Sequence, residues 1–309
     1  MIKMKDMKRI LTIILVLTAA FTAAAQTADR YEQRYDLLVS QFGPAGVGVE
    51  TVLNNWEKVD STSAKYLFAR FSYFFTKAQT AEIITRQEKK YLGMEPVLSL
   101  ADSLGNDVYY YQVNVFDDGL YGQAVKVMDK AISLHPDRLD FRFVKANAYI
   151  AYEKESPDMA LAYLLDLAGR EGDRNWNYEG ERIEDGFFEE AMQEYCYSFY
   201  TIGTPVALNA FLVLSRRLSE VYPSHLDFLN NIGSYHILAD KDYKAALKQY
   251  SKVLKKDPAN YTAIKNSVLA SRKMGNVKSE KKYLQMLAEH GPENERLVAK
   301  ARLEKLEER

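Results

Sequence analysis

The residues of this chain whose types could do chemistry are few: four histidines, one cysteine and some acidic pairs. His135, His225, His236 and His290 are widely scattered. None falls in a His-Glu-x-x-His helix or a spaced Cys/His set, so the sequence carries no metal site. No Gly-x-Ser-x-Gly elbow is present to raise a nucleophilic serine. The run Gly43-Pro44-Ala45-Gly46-Val47-Gly48 is rich enough in glycine to be weighed as a phosphate loop. No Lys-Ser/Thr pair follows it, and it reads as a connection between helices. Asp117-Asp118 and Glu189-Glu190 read as solvated helix faces. Cys196 sits among Tyr195, Tyr197 and Phe199 on an expected helix and reads as a buried, inert thiol. A single cysteine also leaves no internal disulfide. The expectation is a non-catalytic protein with no catalytic residue, metal or cofactor.

The elements around these residues are helices at a regular period. From Leu226 to Pro292 the chain is punctuated by Pro223, Pro258 and Pro292, 35 and then 34 residues apart. Between the first two stand Ile232-Gly233, Asp242-Tyr243, Ala246, Tyr250, Val253 and Asp257-Pro258. Small Gly233 and Ala246 allow two helices to approach closely, Tyr250 and Val253 fill the seam, and Pro258 stops the second helix because it cannot continue the hydrogen-bond ladder. This order resembles the tetratricopeptide repeat (TPR), a helical hairpin of about 34 residues. The resemblance implies an all-α, TPR-type helical-hairpin solenoid, a right-handed superhelix, over residues 26–309. The clearest repeats are 106–169 and 226–292. Within the first, helix A is expected from Asn106 to Phe116 and helix B from about Leu120 to Leu134. Residues 78–105 depart from the pattern, and the apolar runs around Gly93-Met94-Glu95-Pro96 read as a small irregular insertion, a hairpin. A C-terminal capping helix is expected over 293–308, with Leu297, Val298 and Ala301 covering the last repeat and Arg302 blocking a further one.

By register, the resemblance places ligand-facing positions on the concave helix A surface: Tyr66, Arg70 and Tyr73; Tyr109 and Phe116; Phe143 and Asn147; Asn230 and Ser234; Lys265 and Arg272. Tyrosine supplies large contact area at low entropic cost, although rings at these positions also serve to fill the space between helices. One TPR subfamily grips a C-terminal carboxylate with a Lys and an Asn four residues apart in one helix A. Here Asn147 is preceded by Phe143 and Lys265 is followed by Leu269, so chaperone-tail binding does not carry over.

Charge is nearly balanced, with 41 Lys+Arg against 42 Asp+Glu, which gives no argument for nucleic acid as a partner. It is unevenly placed, however. Lys244, Lys248, Lys252 and Lys256 recur every fourth residue and form one column along a helix. The favoured reading is a solvated face; the sharper one is electrostatic docking, end to end or onto an anionic envelope surface.

The N-terminus reads as an address. Lys3, Lys5, Lys8 and Arg9 precede the apolar run Ile10–Leu17, which fades into Ala23-Ala24-Ala25. This is the layout of a secretory signal peptide, residues 1–25, and the apolar run is shorter than the ~20 residues of a membrane span. Gln26, not a cysteine, follows, so no lipid anchor is expected. The sequence thus points to a periplasmic or otherwise exported scaffold for a protein or peptide partner, with no membrane span after cleavage and self-association left open. The alternative is a glycan- or small-ligand-binding helical-repeat protein of the envelope.

Overall fold

The computed structural model describes residues 28–170 and 175–308. The expected signal peptide, residues 1–25, lies outside the described residues, as do residues 171–174 of the polar loop after Gly169. The described chain divides into two compact units, the first built from residues up to 87 with 97–148 and 175–182, the second from 88–96, 149–174 and 183–309. Each unit is built chiefly of helical hairpins, as expected; the first carries one irregular insertion and the second a terminal capping helix.

In the first unit, α1 (residues 28–42) and α2 (Val49–Val59) form a hairpin joined by the glycine-rich turn. Tyr35 of α1 meets Trp56 of α2 at 6.2 Å between ring centres. The next hairpin is interrupted. α3 (Ala64–Lys77) packs directly against α4 (Asp118–Leu134), and a three-stranded antiparallel sheet is inserted in the turn between them. The strands are β1 (Gln79–Arg86), β2 (Leu98–Ala101) and β3 (Asp107–Phe116), in the order β1-β3-β2. The insertion leaves and re-enters at one point, since the Asp117 N–H donates to the Ala78 carbonyl at 2.8 Å.

This corrects the sequence reading of the region. Residues 107–116 are not helix A of a repeat beginning at Asn106; they are the central strand of the sheet, and the helix A that pairs with α4 is α3. The expected hairpin within 78–105 does not form by itself either, because β1 and β2 each pair with β3 and not with one another. The physical reason is legible in Val108-Tyr109-Tyr110-Tyr111-Gln112-Val113: β-branched and aromatic residues suit a pleated strand better than a helix. Asp117 then caps α4, its carboxylate accepting from the Leu120 N–H at 2.8 Å.

α5 (Leu139–Glu153) and α6 (Asp158–Gly169) follow, the Glu153 carboxylate taking the Met159 and Ala160 N–H groups that open α6. A short ribbon, β4 (Asn177–Tyr178) with β5 (Glu181–Arg182), belongs to the first unit. The rest of the second unit is a stack of hairpins: α7 (Phe187–Ile202) with α8 (Pro205–Val221), α9 (Asp227–Tyr235) with α10 (Tyr243–Lys256), and α11 (Tyr261–Lys273) with α12 (Val277–His290). A single π-helical turn, His236–Asp240, ends α9.

The capping helix α13 (Glu293–Glu307) packs on α12. It covers the last hairpin with residues other than those expected. Leu297 and Val298 are about two-thirds exposed and Ala301 is exposed; Ala299 and Leu306 are buried, with Leu303 beside them, against Ile264, Val268, Tyr283, Leu284 and Leu287. The helix is strongly charged, so the covering stripe is narrow, and it lies on nearly the opposite side of the helix from the expected row. Among the described residues no helix is long and apolar enough to cross a membrane.

Candidate binding groove of the second unit

The helix A members of the three hairpins, α7, α9 and α11, line a groove of about 290 Å³ in the second unit. Each contributes one face at helical spacing. α7 turns Met192, Cys196 and Phe199 to the core and Gln193, Tyr197 and Tyr200 to the groove. α9 contributes Asn231 and Ser234, α11 contributes Asn266 and Leu269, and α8 supplies Phe211 as the floor, 3% exposed. The π turn adds Ile237 and Leu238. Such turns insert an extra residue and re-aim the side chains after it, and they recur at binding sites. Here the turn is latched by His236 Nδ1 and Asp240 Oδ2, 2.8 Å apart.

The groove is uncharged but polar at its centre. Gln193 and Asn231 bind each other reciprocally: Asn231 Nδ2 donates to Gln193 Oε1 at 2.8 Å and Gln193 Nε2 to Asn231 Oδ1 at 3.2 Å. Tyr197 and Tyr200 lie nearly parallel, 23° between planes and 6.0 Å between centres, and Tyr197 is 58% exposed. A rigid aromatic platform beside unspent amide capacity is a surface that can take apolar contact and hydrogen bonds together. Nearby, Cys196 has no such availability. Its burial pushes the thiol up to about 12, and Ser215 Oγ lies 3.5 Å from the sulfur. It is a core residue, as the sequence reading held.

No protein-family model matches the sequence, and no curated protein matches it. Among solved structures, the crystal structure of the MamA protein is similar at a TM-score of 0.37 and 16% sequence identity, over 56% of this chain and 83% of that one. Likeness at that level carries no functional inference, and the groove is argued from its own geometry.

Of the positions assigned through the TPR register, only Ser234 lines this groove. Its Oγ donates to the Asn230 carbonyl at 2.9 Å and lies 3.2 Å from Tyr250 Oη and 3.5 Å from Asn266 Nδ2. Asn230 is buried and joins two hairpins, its Nδ2 donating to Asn260 Oδ1 at 3.2 Å. Lys265 reaches α13 instead, donating to Glu295 Oε1 at 2.7 Å and Tyr261 Oη at 3.0 Å. Arg272 donates to Glu280 Oε1 at 2.9 Å, which also accepts from Arg302 at 3.0 Å. Arg302 therefore ties the cap down rather than merely blocking a further helix.

In the first unit, Tyr66, Arg70 and Tyr73 do come together, but as interior groups. Tyr66 and Tyr73 are buried; Arg70 Nε donates to Tyr66 Oη at 3.1 Å, and its Nη2 donates to Asn54 and Glu57. With Glu50 and Lys130, Tyr66 and Arg70 border a polar hollow of about 320 Å³. Phe143 is buried and Asn147 exposed on α5. Tyr109 and Phe116 are corrected outright: they stand on β3, where Tyr109 bonds Asp107 and Phe116 packs on Phe75 and Tyr121. Lys244, Lys248, Lys252 and Lys256 are exposed along α10, Lys256 donating to the Pro223 carbonyl at 2.7 Å.

The register missed the groove because it carries over single positions, whereas the groove depends on which face each helix turns outward. One signal was present: Gln193, Tyr197 and Tyr200 repeat at i, i+4 and i+7 beside the apolar stripe of α7.

Proposed function

We propose that this protein is a non-catalytic scaffold that binds a protein partner through the groove of its second unit, outside the cytoplasm after removal of residues 1–25. The observation that carries this reading is the exposed Tyr197–Tyr200 platform set against the Gln193–Asn231 amide pair, with Leu238 and Leu269 as apolar rims. Tyrosines that a partner covers on binding are where interfaces concentrate their energy. The leucine rims favour an apolar side chain of a partner. The near-parallel rings also favour a second reading, a neutral glycan stacking on them.

The test places a photo-crosslinking amino acid at Leu238, on the groove's exposed rim, in the native host and identifies what is captured, with the same extract passed over immobilised envelope polysaccharide. Recovery of one protein partner, lost in Tyr197→Ala, supports the scaffold. Retention on polysaccharide that is lost in the same variant, with no captured protein, replaces it with the glycan reading. The export step is tested separately by N-terminal sequencing of envelope-fractionated protein, and an intact Met1 there would refute it.

A further inference from the structure

We propose that the outer edge of β1 pairs with β1 of a second copy of this chain, in an antiparallel register centred on Ile84. The inference is independent of the groove. β1 has eight residues and, among the described residues, is bonded on one side only, to β3. Its register with β3 runs unbroken from Gln79↔Phe116 to Arg86↔Tyr109. The strand holds no proline and no lysine, and Thr80, Ala81, Glu82, Ile83 and Thr85 are exposed. Sheet edges are ordinarily protected by short length, bulges, prolines or charged side chains, lysine above all. The opposite edge follows that rule, since β2 has four residues preceded by Pro96. The β1 edge carries only Glu82 and Arg86, charges of opposite sign that repel a second copy in some registers and attract it in another.

The direction of each backbone group follows from the ladder. The N–H and C=O of one residue point to the same side, and successive residues alternate. The Asp117 N–H reaches the Ala78 carbonyl, while the Val97 and Asp102 N–H groups reach the Tyr110 and Asn106 carbonyls. Odd-numbered residues of β3 therefore face β1, and with them Thr80, Glu82, Ile84 and Arg86. Gln79, Ala81, Ile83 and Thr85 point their N–H and C=O outward. The Thr85 carbonyl accepts from Arg86 Nη1 at 3.0 Å, a bond that an incoming strand exchanges for a main-chain one.

Twofold pairing of this edge must set outward residues opposite outward residues, which leaves few registers. Centring on Glu82 puts two Glu82 carboxylates face to face. Centring on Ile83 puts Glu82 opposite Ile84. Centring on Ile84 sets Ile83 and Thr85 in hydrogen-bonded pairs, Ile84 against its own copy, and Glu82 opposite Arg86 twice. Those last pairs fall at non-hydrogen-bonded sites, where side chains approach most closely and opposite charges help while like charges repel. Charge complementarity thus selects a second copy of the chain and one register.

The experiment measures the mass of the full chain by sedimentation over a concentration series, for the native sequence and for Glu82→Arg, Arg86→Glu, the double exchange and Ile83→Pro. Because each substitution acts twice across the twofold axis, each single reversal should weaken the dimer about tenfold, and the double exchange should restore it. Ile83→Pro removes only an outward N–H and should give a monomer with unchanged circular dichroism. A chain that stays monomeric throughout, a dimer indifferent to these changes, or losses that add in the double exchange would each overturn the proposal.

Discussion

Gly233 and Tyr250 meet so closely that a Cβ on Gly233 would lie 2.5 Å from Tyr250 Cε1 and 2.6 Å from Cζ. Tyr250 is fully buried, and its burial pushes the phenol up to about 12, partly offset by hydrogen bonds from Ser234 and Asn266. The ring has nowhere to move. This contact brings α9 and α10 together and orients Ser234 toward the groove.

Gly233→Ala should therefore destabilise the second unit by about 1–3 kcal/mol, the usual cost of overpacking. Combining it with Tyr250→Leu should cost less than the sum of the two single changes, because the smaller side chain removes the clash. Urea denaturation of the four proteins checks this; strict additivity would mean that the two residues do not touch.

Removing residues 293–309 should expose Ile264, Leu284 and Leu287, which α13 covers with Ala299, Leu303 and Leu306. Burying a large apolar side chain is worth roughly 1.5–3 kcal/mol, and in a solenoid the loss stays with the neighbouring repeat. Amide exchange should quicken over α11 and α12 and stay unchanged over α3 and α4. A uniform rise would show a single cooperative body instead.

The cap is also sensitive to acid. Burial alone would raise the Glu280 carboxyl, but the hydrogen bonds and charges of Arg302 and Arg272 outweigh it and hold it below its ordinary 4.5. Glu295 is held down as well, first by its hydrogen bond from Lys265. Carboxyls depressed in the folded state contribute stability that is full above their unfolded value and lost as pH falls through the folded one. Exchange over α11–α13 should accordingly accelerate as pH drops below about 4.5, after correction for the intrinsic rate. Glu280→Gln should flatten that dependence. An unchanged slope in the variant would rule out Glu280 as its source.

The lysine column on α10 should matter little to folding. Lys244, Lys248 and Lys252 are exposed, while Ala246, Tyr250 and Val253 form the buried face of the same helix. Replacing the three lysines by glutamine should leave stability within about 0.5 kcal/mol, the usual range for surface changes. A larger loss, read from the thermal midpoint, would mean that the helix is rotated from the observed face.

By itself, the sequence determined the helical-hairpin class and most of the second unit's helices. Small residues at close-approach positions, prolines at stops and a period near 34 are local constraints, and local constraints are written in the chain. Cys196 was legible as inert for the same reason, since its apolar neighbours recur at core spacing. Tertiary structure alone decided three things. It decided that Asp107–Phe116, whose composition suits a strand, is the central one of a sheet, because its pairing partners lie at Gln79–Arg86 and Leu98–Ala101 and no local period reveals a strand's partners. It decided that Ala299 and Leu306 cover the last hairpin, not Leu297 and Val298, because the rotation of a charged helix is set by what it packs against. And it decided that Tyr66 and Tyr73 are interior while Tyr197 faces the groove, because an aromatic residue is equally suited to filling a core and to meeting a partner, and only the surrounding helices distinguish the two.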